Sequence, residues 1–451
     1  MRRIGGVIVW SILLLIMVGC SGGGGSSDTS PKEMIDNTET NDSTKWDTLY
    51  ESFNVGIGMD GAYPFSDGSD TPIWLSSADL IFNDKIDQVS RYQPIEKFDG
   101  AAFKELQSKL KKTKYVVYWI SKYWEENWVS VDDIQSAMDL GYVPVFNYWY
   151  FADELAGGLP DADTTQEYYT HNQKVLKFLQ KLKGKKIVIM EPEFNKNSVV
   201  HTPTQEEQET FAKTLAQAID TLRGGTEDTL FSLSMMDAGL RSATDSHVSC
   251  GYSPCALGDK KMWDSVEPIY TLLLPKLDFL SFSEMVGQFS RDHDDPGSQE
   301  SPNPRSYTND ELGIEYLDTR IINLSTYMNE KYHKPVFLSH ITIATATWSD
   351  DNSNGAIEES ELDLSGWEDV AENFYLAMMD RKEELYQSGL FGFAVMKLFD
   401  DPQHDINGYQ YFLNNEYHLG IIKTSARDEV DKYMMGDISF KGSIFDALFS
   451  N

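Results

Sequence analysis

Cysteine is scarce in this chain, with three among 451 residues. Only Cys250 and Cys255 lie in the body of the sequence, so there is no second pair to complete a cysteine zinc site. Basic side chains are also few: 38 Lys and Arg stand against 71 Asp and Glu, a formal net charge of -33. A chain this acidic repels phosphate backbones, and no nucleic-acid partner is expected. No His-Glu-x-x-His, serine elbow, phosphate-binding loop or dinucleotide fingerprint stands out, which sets aside the chemistries those motifs carry.

What is present begins with an export pattern. Arg2 and Arg3 precede a short apolar run, Val7 to Val18, the layout of a signal segment. Met17-Val18-Gly19-Cys20 resembles a bacterial lipobox, which implies acylation of Cys20. An ordinary secretory signal or an uncleaved anchor are the alternatives. The Gly/Ser run from Ser21 to Ser27 suits a tether. The expected organisation is a signal at 1–19, a flexible tether at 20–48 and one domain at 49–451. The expected location is the bacterial cell envelope, periplasmic or surface-facing, with the membrane reached through the lipid. In an oxidising compartment, Cys250 and Cys255 of Cys-Gly-Tyr-Ser-Pro-Cys are candidates for a loop-pinning disulfide. A monomer is expected.

Short apolar runs alternate with helical patterns along the body. Strands are predicted at 53–58, 115–120, 143–148, 186–191, 230–236, 277–283, 335–341 and 390–396. Helices are clearest at 100–112, 131–140, 166–183, 205–223, 309–332 and 366–387. Ser130 is a plausible N-cap for the second of these, and Gly141 closes it. Continuous apolar strands alternating with amphipathic helices indicate a parallel sheet covered by helices. Eight such units predict an α/β fold, a (β/α)8 barrel of the TIM type with long loops.

In such a barrel, chemistry sits at the C-terminal ends of the strands. Lys186 to Met190 is an apolar run that stops on Glu191-Pro192-Glu193. Asn147-Tyr148-Trp149-Tyr150 ends the third strand, Ser283-Glu284 the sixth and Ser339-His340 the seventh. The alternation, with Glu191-Pro192 closing strand four, resembles the large clan of retaining glycoside hydrolases with β/α-barrel folds. In that clan Asn-Glu-Pro ends strand four and its Glu is the general acid/base. The resemblance implies that role for Glu191. Two positions depart: Met190 stands where the clan has Asn, and His340 where it has the nucleophilic Glu. The nucleophile is therefore unassigned by the resemblance.

Glycoside cleavage ordinarily uses two carboxyl groups. Glu284 is the candidate partner of Glu191, with Asp237, Glu193 and Asp400 as substitutes; pairing of Glu284 with Lys397 is its structural alternative. Flat aromatic rings suit the apolar faces of sugars, and Trp119, Tyr148 and Trp149, with Asn147, His340 and Trp348, are the candidate substrate-binding residues. Carbohydrate is the expected partner.

Asp350 to Glu361 fits the pattern of an EF-hand loop and resembles one. Asp350, Asn352, Asn354, Ala356 through its carbonyl, Glu358 and Glu361 would hold a structural calcium ion, with Gly355 at the sharp turn. The function expected overall is cleavage of a poly- or oligosaccharide. A glycan-binding barrel without catalysis and a structural or adhesive lipoprotein are the alternatives.

Overall fold

The apolar runs form eight strands of one parallel sheet: β1 (Asn54–Gly58), β2 (Tyr115–Ser121), β3 (Val143–Trp149) and β4 (Lys186–Met190) in the first half. The second half holds β5 (Thr229–Met236), β6 (Leu280–Val286), β7 (Val336–Ile343) and β8 (Leu390–Val395). They close in the order β1-β8-β7-β6-β5-β4-β3-β2, with β1 returning to β2. This is the predicted (β/α)8 barrel. The computed structural model describes residues 49–58, 63–65, 73–75, 109–110, 112–126, 129–151, 155, 158–195, 199, 204–236, 263–286, 317–345, 347–348, 362–363, 366–400, 418–426 and 435–449. Trp46–Asn451 makes one compact unit.

Helices fill the connections: α1 (Val131–Asp139), α2 (Ala162–Leu179), α3 (Gln205–Gly225), α4 (Glu267–Leu273), α5 (Leu317–Tyr332), α6 (Glu368–Asp380) and α7 (Lys382–Gln387). Their starts are capped as the side chains allow. The Ser130 hydroxyl accepts from the Asp133 amide, and the Asp161 carboxylate from that of Thr164. Thr204 and Glu207 form a reciprocal capping box. With Asp161 as its N-cap, α2 starts at Ala162, four residues before the predicted 166. The long pattern at 366–387 is broken at Arg381 into α6 and α7.

The core has two layers because strand side chains alternate. Tyr115, Val117, Val143, Val145, Ile187 and Ile189 point inward and meet Phe279, Phe337 and Phe391. Phe337 and Phe391 stack with ring centroids 5.2 Å apart, and Tyr115 meets Phe337 edge-on at 4.9 Å. These rings plug the N-terminal end of the barrel, leaving the opposite end for polar groups. The outward residues of the same strands, such as Val116, Val188 and Phe282, join the helices in a second, larger cluster.

Three features differ from expectation. The sixth strand starts at Leu280 and not at 277, because Leu274–Lys276 forms a turn of 3-10 helix and the Asp278 carboxylate is taken by the Phe231 amide and Arg223. Helix α4 was not anticipated, being only seven residues long. Nor was the C-terminal addition, in which Lys397–Phe399, Gly420–Ala426 and Met435–Phe440 pair as a small sheet followed by a helix, Ile444–Phe449. Lys441 is buried here and donates to the Asp400 carboxylate at 2.7 Å and to the carbonyls of His418 and Gly420. Burial pulls its pKa down, and the Asp400 charge opposes that shift.

Closure requires β1 to approach β8 more closely than a side chain permits. A Cβ on Gly58 would stand 1.7 Å from the Met396 carbonyl oxygen, which is backbone and cannot swing away. Gly58→Ala is expected to lower stability by about 3 kcal/mol or more, at the top of the overpacking range; urea denaturation reads it, and an unchanged midpoint would contradict the closure described.

Candidate active site at the barrel mouth

The C-terminal end of the ring is lined by the upper inward residues of β2, β3, β6 and β7. Trp119 pairs in register with Asn147, and Ser283 with His340. Trp119 meets Trp149 edge-on, with centroids 5.7 Å apart, and His340 at 5.1 Å. Asn147, Trp119 and Trp149 share the inward parity of Val145 and Val117. The sequence-predicted residues Trp119, Asn147, Trp149 and His340 are thus brought together.

His340 owes its direction to an irregularity. The β6–β7 register jumps from Phe282↔Leu338 to Ser283↔His340, so Ser339 is an extra residue on β7. Ser339 and His340 both turn inward. The Ser339 hydroxyl meets that of Ser234 at 2.8 Å and lies 3.3 Å from His340 Nδ1. Burial pulls the His340 pKa down to about 3, so the ring is neutral at ordinary pH. Its Nε2 lies 3.9 Å from the Glu193 carboxylate, beyond hydrogen-bond length, and has no hydrogen-bond partner. The side-chain amide of Asn147, the Trp149 indole N–H and the Ser283 hydroxyl are likewise buried without one.

Glu193 reaches this wall because the chain turns sharply after β4. Glu191 and Glu193 have φ of 39° and 64°, positive values that non-glycine residues avoid. Pro192 further restricts the residue before it. The turn is held by the backbone: the Glu191 amide donates to Tyr148 O at 2.7 Å, that of Glu193 to Ser234 O at 3.1 Å, and that of Phe194 to Glu191 O at 3.0 Å. Each strained residue costs about 1–3 kcal/mol, and such strain concentrates where it serves a site.

The two carboxylates expected to face one another have different surroundings. Glu191 is fully buried, and its carboxylate accepts from the Phe151 amide at 3.0 Å and, more weakly, from the Tyr150 amide at 3.4 Å. The Tyr168 ring of α2 lies beside it, close enough to favour the ionised form but with no hydrogen bond of acceptable geometry. Its contacts are therefore on the helix side of the wall and not in the mouth. Burial outweighs the amide hydrogen bonds and pushes its pKa up to about 8. Glu284 falls inside β6, alternating with Ser283, and forms a fully buried ion pair with Arg320 of α5 at 3.6 Å. Tyr148, expected in the mouth, also faces outward: its hydroxyl meets His171 Nδ1 at 2.9 Å and its ring stacks on Tyr168. Asp400 is held by Lys441.

Glu193 was only a substitute in the sequence-based reading. Strict alternation would turn residues 187, 189, 191 and 193 alike; the positive φ values that break it leave no mark in residue type. The backbone of Trp348 lies in a two-residue strand, Thr347–Trp348, paired with Leu362–Asp363. The calcium-loop residues Asp350 to Glu361, Asp237, Cys20, Cys250 and Cys255 lie outside the described residues. Among the described residues no group of three or more His, Cys, Asp or Glu is placed to hold a metal ion.

No family model and no curated protein matches the chain. Among solved structures it is similar to the family 1 β-glucosidase from Thermotoga maritima, at 14% identity over 88% of this chain and 96% of that chain, with a TM-score of 0.45. The complexes of that enzyme with isofagomine lactam and with deoxynojirimycin give the same identity and coverage, with a TM-score of 0.44. At that distance the functional reading rests on the geometry above.

Two outcomes follow from the placement of the carboxylates. The folded pKa of Glu191 exceeds the ordinary 4.5, so its protonated form favours folding. That contribution is complete below about 4.5 and is lost as pH rises to about 8. Glu191→Gln, which mimics the protonated acid, is expected to flatten the fall in Tm across this window. Calorimetry at several pH values reads it, and parallel curves for the two proteins would refute the assignment. Arg320→Met is expected to destabilise the fold by about 3–5 kcal/mol by removing one partner of a buried ion pair; denaturant titration measures it.

Proposed function

We propose that the chain is a carbohydrate-active barrel that hydrolyses a glycosidic bond, with Glu193 as the general acid. One observation carries the reading: a strained turn presents the Glu193 carboxylate to a buried, neutral His340 in a wall of Trp119 and Trp149. Indole faces suit the C–H face of a sugar ring, and the unpartnered amide, hydroxyl and ring nitrogens suit its hydroxyl groups. Neither the Glu191 nor the Glu284 side chain serves as the partner carboxylate in this reading. Asp237, which follows β5 in the sequence, remains the candidate.

The experiment is a panel of oligosaccharides assayed for both binding and product. Glu193→Gln is expected to lower kcat/KM by about 10²–10⁴-fold, the share general acid catalysis supplies, while sugar-induced changes in tryptophan fluorescence persist. Full hydrolysis by Glu193→Gln would overturn the role. A second reading, glycan binding without cleavage, is favoured by a neutral histidine, His340, standing opposite Glu193 and by the engagement of Glu284 with Arg320. Binding without product across the panel would establish it.

The N-terminal pattern extends the proposal to a lipid-anchored protein of the bacterial cell envelope, acylated on Cys20. Labelled palmitate should enter the protein and fail to enter Cys20→Ala. A calcium ion in the loop Asp350 to Glu361, and a disulfide between Cys250 and Cys255, are the remaining elements of this reading. A chelator should lower Tm if the calcium assignment is right.

A further inference from the structure

Glu191 is a buried acid that the proposed chemistry does not use, yet it is attached three times to β3 and the residues that follow it. Its amide donates to Tyr148 O, and its carboxylate accepts from the Phe151 and Tyr150 amides. These contacts bracket Trp149 on both sides. Trp149 in turn meets Trp119, Trp119 meets His340, and His340 faces Glu193. Through its own carbonyl, which accepts from the Phe194 amide, Glu191 also holds the turn that carries Glu193.

We propose that Glu191 is a positioning residue: its buried carboxyl clamps the exit of β3 and so sets the Trp149–Trp119–His340 wall opposite Glu193. Only the purpose of that wall rests on the function proposed above; the clamp is read from the contacts themselves. A side chain with no acceptor here would leave two amides at a buried strand exit without their partner. The strand exit would relax, and Trp149 is the first mouth residue to move with it. The raised pKa agrees with this role, since the carboxyl gains or loses its proton while enclosed by the structure it holds.

The groups around the carboxyl are mostly neutral. Tyr148 and Tyr150 face it from β3 and its exit, and Tyr168 from α2. Burial, reinforced by the Glu191 charge, holds the phenol pKa values of Tyr148 and Tyr168 well above the usual range, so neither titrates near 8. Further out on α2, His171 has its pKa pulled down to about 4 by burial and by Lys174. Lys122, from the loop after β2, lies over the Tyr150 ring at 5.6 Å and 4.0 Å from Glu167. Of these groups Tyr148, Tyr168 and His171 are displaced away from 8, whereas Glu191 is shifted to it.

The test is the indole N–H spectrum of the full ¹⁵N-labelled chain between pH 6 and pH 10, a range of about two units below and above the shifted pKa. The Trp119 and Trp149 signals are assigned by Trp119→Phe and Trp149→Phe. In the unaltered protein both signals should shift with one common midpoint near 8. In Glu191→Gln both should stop titrating and stay at their low-pH positions, since the amide oxygen still accepts. In Glu191→Ala both should be displaced at every pH. Titration persisting in Glu191→Gln, or signals that never move, would overturn the proposal even if Glu191→Ala fails to fold. Failure of the function proposed for Glu193 would appear separately, as hydrolysis unaffected by Glu193→Gln with the indole titration intact.

Discussion

Closure of eight parallel strands into a ring imposes the constraint on which everything else depends. Once the ring is closed, each strand side chain faces either a narrow interior or the helix layer. A shift of one residue moves a group from one to the other. The interior below is filled by Tyr115, Phe279, Phe337 and Phe391. Polar chemistry is confined to the opposite end, and local departures from alternation decide which residues take part. Two departures matter most: the extra residue Ser339 on β7, and the positive-φ turn after β4. The first brings His340 inward. The second brings Glu193 to the mouth and leaves Glu191 on the helix side.

Buried charge is treated in two ways in this fold. Arg320–Glu284 and Lys441–Asp400 are ion pairs at almost no exposure, joining α5 to β6 and the C-terminal addition to the segment after β8. Such pairs add little net stability over apolar residues of similar size, but breaking one is costly. They therefore act as fixed joints. Among the described residues no cation shifts Glu191, which is accommodated by two amides and by protonation. His340 is accommodated as a neutral ring. The mouth thus combines Glu193 with a set of neutral donors and acceptors, a suitable lining for a ligand rich in hydroxyl groups.

Much of the architecture was legible from the chain alone. Each predicted strand overlaps an observed one, because a strand buried on both faces needs an uninterrupted apolar run and little else in the sequence makes one. Ser130 marked the start of α1 through side-chain chemistry that acts over three residues. Helix α4 escaped because seven residues are too few to show a periodic stripe. The C-terminal sheet escaped because its main anchor is Lys441 reaching Asp400, far apart in sequence.

The sequence by itself determined the barrel, the acidic and aromatic character of the chain, and the grouping of Trp119, Asn147, Trp149 and His340 at strand ends. These follow from local pattern, where apolar periodicity and residue type suffice. Only the tertiary structure decided which glutamate faces the mouth. Glu191 and Glu193 differ by two positions and would share a face in a regular strand. Their separation comes from backbone dihedrals held by the Tyr148 and Ser234 carbonyls, which belong to neighbouring strands. The same holds for Glu284, whose partner Arg320 is supplied by a helix that the chain reaches only after leaving the strand.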